Sequence, residues 1–353
     1  MLVLALAWGR DLPVPVVVVV AAVLTGAVLS AVHHAEVVAH RVGEPFGSLV
    51  LAVAVTVIEV ALIVTLMIDG GPEASSLARD TAFAAVMITC NGIVGLSLLV
   101  GAVKYGVPRF NAEGSGAALA TVTTLTTLSL VLPAFTTSEP GPSFTGPQLA
   151  FAAVASLALY ASFVVTQTLR HRDFFLPVVD DDPGPGAAGT GLEAEVHAAP
   201  PTARAAAVSA GLLLVALVGV VGLAKIESPA IEAGVRAAGF PPSFVGVVIA
   251  LLVLLPETIA AVRAASRNLI QTSLNLAFGS AIASIGLTIP AIALASVWLE
   301  GPLLLGLGST QMVLLALTVV VGVLTVVPGR ATRLTGAVHL VLLAAFLFLA
   351  VSP

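Results

Sequence analysis

The sequence predicts an all-α membrane protein: ten full transmembrane helices in two inverted five-helix repeats, with a partial eleventh helix at the N-terminus. Three observations carry that prediction. Of the 353 residues, 58% are hydrophobic and only 9% charged, against about 25% charged in an ordinary soluble domain. The apolar residues fall into ten runs, each near the roughly 20 residues that a hydrocarbon core of about 30 Å demands. Two of those runs, one in each half, repeat each other around a glutamate.

The spans are justified in order. Met1 to Gly9 is apolar but too short to cross, and it lacks the basic start and small-residue cleavage pattern of a signal peptide. Residues 1–9 are read as the stub of a truncated extra helix, with an interfacial tail as the alternative. Full spans follow at 12–40, 45–68, 78–104, 115–135 and 147–170, which makes 12–170 the first half. The second half, 204–351, holds spans at 204–226, 240–263, 267–297, 302–327 and 331–351. Runs such as Val16 to Val23 do not alternate, so transmembrane strands fail and helices remain.

Between the halves, residues 171–203 carry Asp173, Asp180, Asp181, Asp182, Glu193 and Glu195 against the single base Arg172, and are broken by Pro183, Pro185, Pro200 and Pro201. This reads as an acidic, disordered linker. Loop charge fixes the orientation, because Lys and Arg gather on the cytoplasmic side. One set of alternate loops holds Arg41, Lys104, Arg109, Arg170, Arg172, Arg204, Arg263, Arg267, Arg330 and Arg333; the other holds Arg10, Arg79, Lys225 and Arg236. Ten against four puts the first set, and the linker, inside.

Composition removes several function classes. Cys90 is the sole cysteine, so there is no disulfide framework, and no CxxC or Cys/His cluster for structural zinc. Two Trp, two Tyr and a net charge of -5 leave no source for base stacking or phosphate attraction, so no nucleic acid is expected as a partner.

The repeat is explicit. Gly43-Glu44-Pro45-Phe46-Gly47 opens the second span, which reaches Thr56-Val57-Ile58-Glu59. Pro241-Pro242-Ser243-Phe244-Val245-Gly246 opens the seventh, which reaches Leu254-Leu255-Pro256-Glu257. Phe-to-Glu spacing is the same in both, and Ala52 and Ala250 fall at equivalent places. In the next span of each half, Thr89-Cys90-Asn91 with Gly95 matches Ser273-Leu274-Asn275 with Gly279. The Glu-to-Asn intervals differ by 14 residues, which assigns the excess to a loop insertion around Asp69 to Asp80. Five spans separate the copies, and an odd number inverts the second in the membrane.

An acidic residue at the centre of a span costs roughly 2.5 to 3.5 kcal/mol to insert. Two symmetry-related ones, each over two turns deep, point to a midplane ion site. Glu59 and Glu257 are therefore the expected ligands, with Asn91 and Asn275 as neutral ligands and Thr56, Thr89 and Ser273 as lesser candidates. The bland alternatives are structural carboxyls for the glutamates and interhelical hydrogen bonds for the asparagines. Gly95, Gly279, Ser280 and Ser284 read as small residues for close helix approach. Carboxylate, amide and hydroxyl oxygens are hard ligands suited to Ca2+ or Na+. A carboxylate inside an apolar span can equally carry a proton.

Those residues resemble the alpha repeats of the calcium/cation antiporter superfamily. The run from His33 to Leu49, with Pro256-Glu257 and Gly279 to Pro290, is similar to the bacterial ChaA-type cation/proton antiporters. The resemblance implies alternating-access exchange of calcium, and in this branch sodium or potassium, for protons in a bacterial inner membrane, with Glu59 and Glu257 in the place of the ion-binding glutamates. Two departures stand out. Thr56 and Leu254 occupy the positions of the Asn in the Gly-Asn-Ala-x-Glu motif of other calcium/proton exchangers. The hydroxyl-rich helices of sodium/calcium exchangers are thinned, against a multi-sodium site.

Two carboxylates roughly neutralise one Ca2+, whereas a lone Na+ or K+ would leave a buried negative charge unless a proton shared the site. Calcium is thus the preferred ion and Na+ or K+ the alternative. The expected partners are inorganic cations, protons and the lipid bilayer, with no cofactor and no chemistry of an enzyme. Two other classes compete: a passive cation channel using the same carboxylates, and an intramembrane hydrolase with zinc on His33, Glu36 and His40. His339, eight residues into its run, is either a proton relay or a hydrogen-bonded packing residue.

Overall fold

The computed structural model describes residues 1–10, 12–43, 46–178, 201–298 and 302–352, with the backbone alone for 46, 48, 49 and 69–73. Glu44, Pro45, the Asp69 side chain and the acidic stretch from Asp180 to Glu195 lie outside the described residues.

Every regular element among the described residues is helical. After a short α1 (Leu2–Ala7) come α2 (Val14–Val42), α3 (Phe46–Gly70), α4 (Leu77–Met87), α5 (Val94–Tyr105), α6 (Ala112–Thr126) and α7 (Gly146–Val165). The second half holds α8 (Ala203–Ala237), α9 (Phe244–Val253), α10 (Leu255–Ala265), α11 (Ile270–Ala295), α12 (Ser309–Val326) and α13 (Arg333–Val351). Among the described residues nine helices are long and apolar enough to cross a membrane, and α9 with α10 supplies a tenth as one span bent by 54°.

The ends follow local chemistry. Asn111 caps α6 by accepting from Glu113 and Gly114 N–H groups, and Thr145 with Gln148 forms a capping box on α7. Gly43, at φ 75°, stops α2 with a backbone that a side chain would strain. Pro256 breaks the seventh span: it has no N–H for the Leu252 carbonyl, and Leu254 leaves helical geometry at φ -86°, ψ 1°. In the first half Ile58 stands 198 residues before Pro256, and α3 runs on unbroken.

Two expectations need correction. The sixth span does not end at 226: α8 continues to Ala237 through Pro229 and buries Glu227. Nor is Asp69 to Asp80 an inserted loop, because a 3-10 turn over Gly71–Ser76 leads directly into α4, with Asp80 buried in its first turn.

Loop contacts sort the connections into two faces independently of charge. On the arginine-rich face, Phe110 N–H donates to the Gly329 carbonyl (2.9 Å), and Lys104 Nζ and the Tyr105 hydroxyl both donate to the Ser266 carbonyl (2.8 Å). On the other, Leu304 N–H donates to the Ser75 carbonyl (3.1 Å) and Gly306 N–H to the Pro142 carbonyl (2.9 Å). This is the same partition that the Lys and Arg count gives.

Two apolar clusters result. One joins α2, α3, α8 and α9 through Val20, Leu24, Leu62, Leu223 and Ile249, with α2 lying along α8. The α1 helix seats Leu4 where a Cβ on Gly222 would stand. The larger cluster holds α4 to α7 and α11 to α13.

Candidate functional site

Glu59 lies mid-way along α3 and Glu257 in the first turn of α10, just past the break. Both line one cavity of about 250 Å³ with Ala52, Thr56, Ala250, Leu254, Asn275 and Ser284. The cavity extends toward the arginine-rich face, where Gln167 and Thr272 line it near the ends of their helices. Away from that face the route meets buried Leu62, Leu66, Ile249 and Val253. The cavity therefore reaches one face and is closed toward the other.

The two carboxyls are held differently. Glu59 is 3% exposed and accepts from the Ser284 hydroxyl at 2.7 Å (Oε1) and 2.9 Å (Oε2). Thr288, one helical turn beyond Ser284 on α11, is buried and brings its hydroxyl toward the same carboxyl. Glu257 keeps one buried oxygen, Oε2, with no hydrogen-bond partner, and lies within electrostatic reach of Glu59 and Glu36. A buried carboxylate oxygen left without a partner is costly. The N-terminus of α10, its dipole favouring negative charge, helps hold the carboxylate.

A single shift of 198 residues relates the lining. Ala52 and Ala250, Val55 and Val253, Thr56 and Leu254, Glu59 and Glu257, and Ala85 and Ala283 all face the cavity. Because Ala85 and Ala283 belong to the third and eighth spans, these spans obey the same shift as the glutamates, with no insertion between. Under it Ser284 corresponds to Val86, which has no hydroxyl to offer Glu257.

The same register separates the two asparagines. Asn275 lines the cavity, yet its amide is committed: Oδ1 accepts from Gln271 (2.8 Å) and Nδ2 donates to the Phe175 carbonyl (2.7 Å). Asn91 is elsewhere. Its Nδ2 donates to Thr318 (2.9 Å), whose own proton goes to the Leu314 carbonyl, and its Oδ1 faces His339 Nδ1 at 3.2 Å. His339 Nε2 meets Thr325 at 3.0 Å. The His339 ring thus ties α13 to α5 and α12 where Gly95 and Gly336 bring backbones together. Asn91 sits in the π turn Ile88–Ile93, whose extra residue rotates α5 by about 100° from the course of a regular helix.

Of the lesser candidates, Thr56 lines the cavity. Thr89 does not, and donates to the Ala85 carbonyl (2.7 Å). Ser273 is also outside it, bonded to Ser97 (2.6 Å) and the Ala261 carbonyl (2.8 Å). Ser284 is the site residue that the sequence pattern assigns to packing. Its signal lies in the Gly279 to Ser284 run once the shift of 198 is applied. The hydrolase reading fails: His33, Glu36 and His40 are exposed, and no group of three His, Cys, Asp or Glu among the described residues is placed to hold a metal.

The sequence matches the sodium/calcium exchanger protein family over residues 12–169 and 208–352. It is 45% identical over 333 residues to the ionic-transporter candidate y4hA of Sinorhizobium fredii (strain NBRC 101917 / NGR234), covering 94% of this chain and 88% of that protein. It is 33% identical over 350 residues to the sodium-potassium/proton antiporter ChaA of Escherichia coli (strain K12), covering 98% and 92%. Its fold is similar to the crystal structure of the H+/Ca2+ exchanger CAX, with TM-score 0.67 at 17% identity over 98% of this chain and 85% of the other.

Proposed function

The chain belongs to the sodium/calcium exchanger protein family, whose members are secondary cation antiporters rather than enzymes, and from that premise we propose that it exchanges a cation for protons at Glu59 and Glu257, with Ca2+ the preferred ion. One observation carries the reading: two carboxyls from opposite halves share a cavity that reaches one face, and one of their oxygens has no partner.

The mechanism is competition. Two ionised carboxylates neutralise one divalent cation, and two protons occupy the same pair in its place, so the ion leaves as protons arrive. Exposure of the pair to alternate faces converts that competition into exchange. Cavity hydroxyls at Thr56, Ser280 and Ser284 supply neutral oxygens. The arginine-rich face is the cytoplasm, and the membrane is a bacterial inner membrane. A second reading, Na+ or K+ with one carboxyl protonated, is favoured by the kinship to an antiporter named for sodium and potassium.

Reconstituted vesicles with an imposed pH gradient at fixed potential, assayed separately with Ca2+, Na+ and K+, test the proposal. Gradient-driven calcium flux is expected, together with loss of flux in folded Glu59→Gln and Glu257→Gln. Calcium flux indifferent to the gradient refutes proton coupling; coupled sodium or potassium flux without calcium flux keeps the mechanism and overturns the ion.

A further inference from the structure

Two carboxyls among the described residues leave a buried oxygen without a hydrogen-bond partner: Glu257 and Glu227. Glu227 is 2% exposed. Its neighbour Ser228 is buried with its hydroxyl also unpartnered. Pro229, inside α8, has no N–H for the Lys225 carbonyl. Residues 225–229 thus gather a carboxyl, a hydroxyl and a freed carbonyl within one helical turn.

Their position is defined by the repeat. Thr272 and Asn275 line the inner cavity, and the shift of 198 carries them to Ala74 and Leu77, which line a cleft of about 90 Å³ on the arginine-poor face. That cleft is therefore the outer counterpart of the inner mouth. Its remaining wall includes Leu66, Asp80, Glu232, Val235 and Val245. Glu227 lies two turns deeper on α8 than Val235, a residue of the cleft wall, and is buried as Val235 is.

We infer that Glu227 is the proton-accepting carboxyl of the outer access route, taking protons from the outer cleft and passing them toward Glu59 and Glu257 when the outer side opens. The inference rests on the proton coupling proposed above. Few other charged groups face it. The outer halves of α2 and α9 carry none, α3 has none between Glu59 and Asp69, and α1 brings only its terminal amine. Glu232, Arg236 and Asp80 line the cleft beyond, and Asp80 is held by Arg79 (2.8 Å) and Ser76 (2.8 Å). An apolar enclosure around a carboxyl with an empty oxygen suits a group that exchanges occupants rather than one that anchors a helix.

The test is sided. In vesicles of known orientation, exchange is measured against outer pH at fixed inner cation, and against inner cation at fixed outer pH. In Glu227→Gln the outer proton concentration for half-maximal exchange should rise severalfold, with the inner cation KM unchanged. An unchanged outer-proton curve overturns the assignment, as does a parallel shift of both curves, which marks a merely structural role. A change in outer-cation affinity alone makes Glu227 a cation waypoint and overturns it too. Should Glu227→Gln fail to fold, wild-type protein treated with a hydrophobic carbodiimide keeps the question open to decision. Glu227 should be modified, less so as outer pH is raised; no modification, or labelling governed by inner pH, defeats the inference. Wild-type exchange indifferent to pH on both sides would instead defeat the proton coupling beneath it.

Discussion

At the scale of single residues, Ser284 makes the two carboxyls unequal. Its hydroxyl serves both oxygens of Glu59, while Val86, its partner under the repeat, gives nothing to Glu257. A hydrogen bond to a charged acceptor is worth about 1.5 to 3 kcal/mol, and it favours the ionised form over the protonated one. Ser284→Ala should therefore weaken cation binding near neutral pH by about tenfold or more, with affinity regained in more alkaline solution; titration of the purified protein at several pH values measures this. Asn91 makes the opposite prediction. Asn91→Leu removes the Oδ1 that faces His339 Nδ1 and the amide that bonds Thr318, and should lower stability by about 1 to 3 kcal/mol, visible as a lower Tm in detergent, while the cation KM stays unchanged. A raised KM would return Asn91 to the site. The glutamates were legible in sequence because carboxyls are rare in apolar spans and these two share a register. Ser284 was not, because a hydroxyl on a helix usually bonds its own preceding turn, as Thr89 does here. Asn91 was misplaced because a pattern of letters carries no sign of a π turn.

At the scale of elements, α9 and α4 meet at a close backbone contact beside the outer cleft. A Cβ on Gly246 would stand 2.7 Å from the Thr81 nitrogen and 2.8 Å from the Asp80 carbonyl carbon. Both neighbours are backbone and cannot give way, so a side chain at 246 opposes this contact but not a state in which the two helices part. Gly246→Leu should shift the population toward outward access. The measurement is thiol labelling of a cysteine placed in the outer cleft, at Ala74, which should react faster from outside in the variant; equal rates would show that the contact does not gate. Most spans and their order were readable from apolar run length alone. The end of α8 was not. Lys225 and Glu227 resemble an interfacial border and Pro229 a helix stop, yet Lys225 is exposed on one face while Glu227 is buried on the other, and a proline within a long, packed helix is tolerated. The break at Leu254 was equally hidden, since Pro256 signals a lost N–H but not the size of the bend.

At the scale of the whole molecule, the inversion follows from five spans between copies, and the Lys and Arg count sorts the loops as their hydrogen bonds do. The two halves then hold equivalent residues in different states. Ser280 lines the inner cavity, whereas Ala82, its partner 198 residues earlier, is completely buried. If the halves exchange conformations, the outward-facing state needs no new architecture: Ala82 becomes a wall of the outer cavity as Ser280 is covered. Cys90 is the sole cysteine and is buried, so its replacement by Ala leaves a clean background for labelling. Ser280→Cys should react with a membrane-impermeant thiol reagent from the arginine-rich side, and Ala82→Cys only from the opposite side. The decisive feature is reciprocity: conditions that raise labelling at 82, such as saturating outer protons, must lower it at 280 in step. Simultaneous reactivity of both positions from their own sides would describe a continuous pore. Persistent silence at 82 would mean that the outer route runs elsewhere and that the repeat is not the device that moves the site between faces.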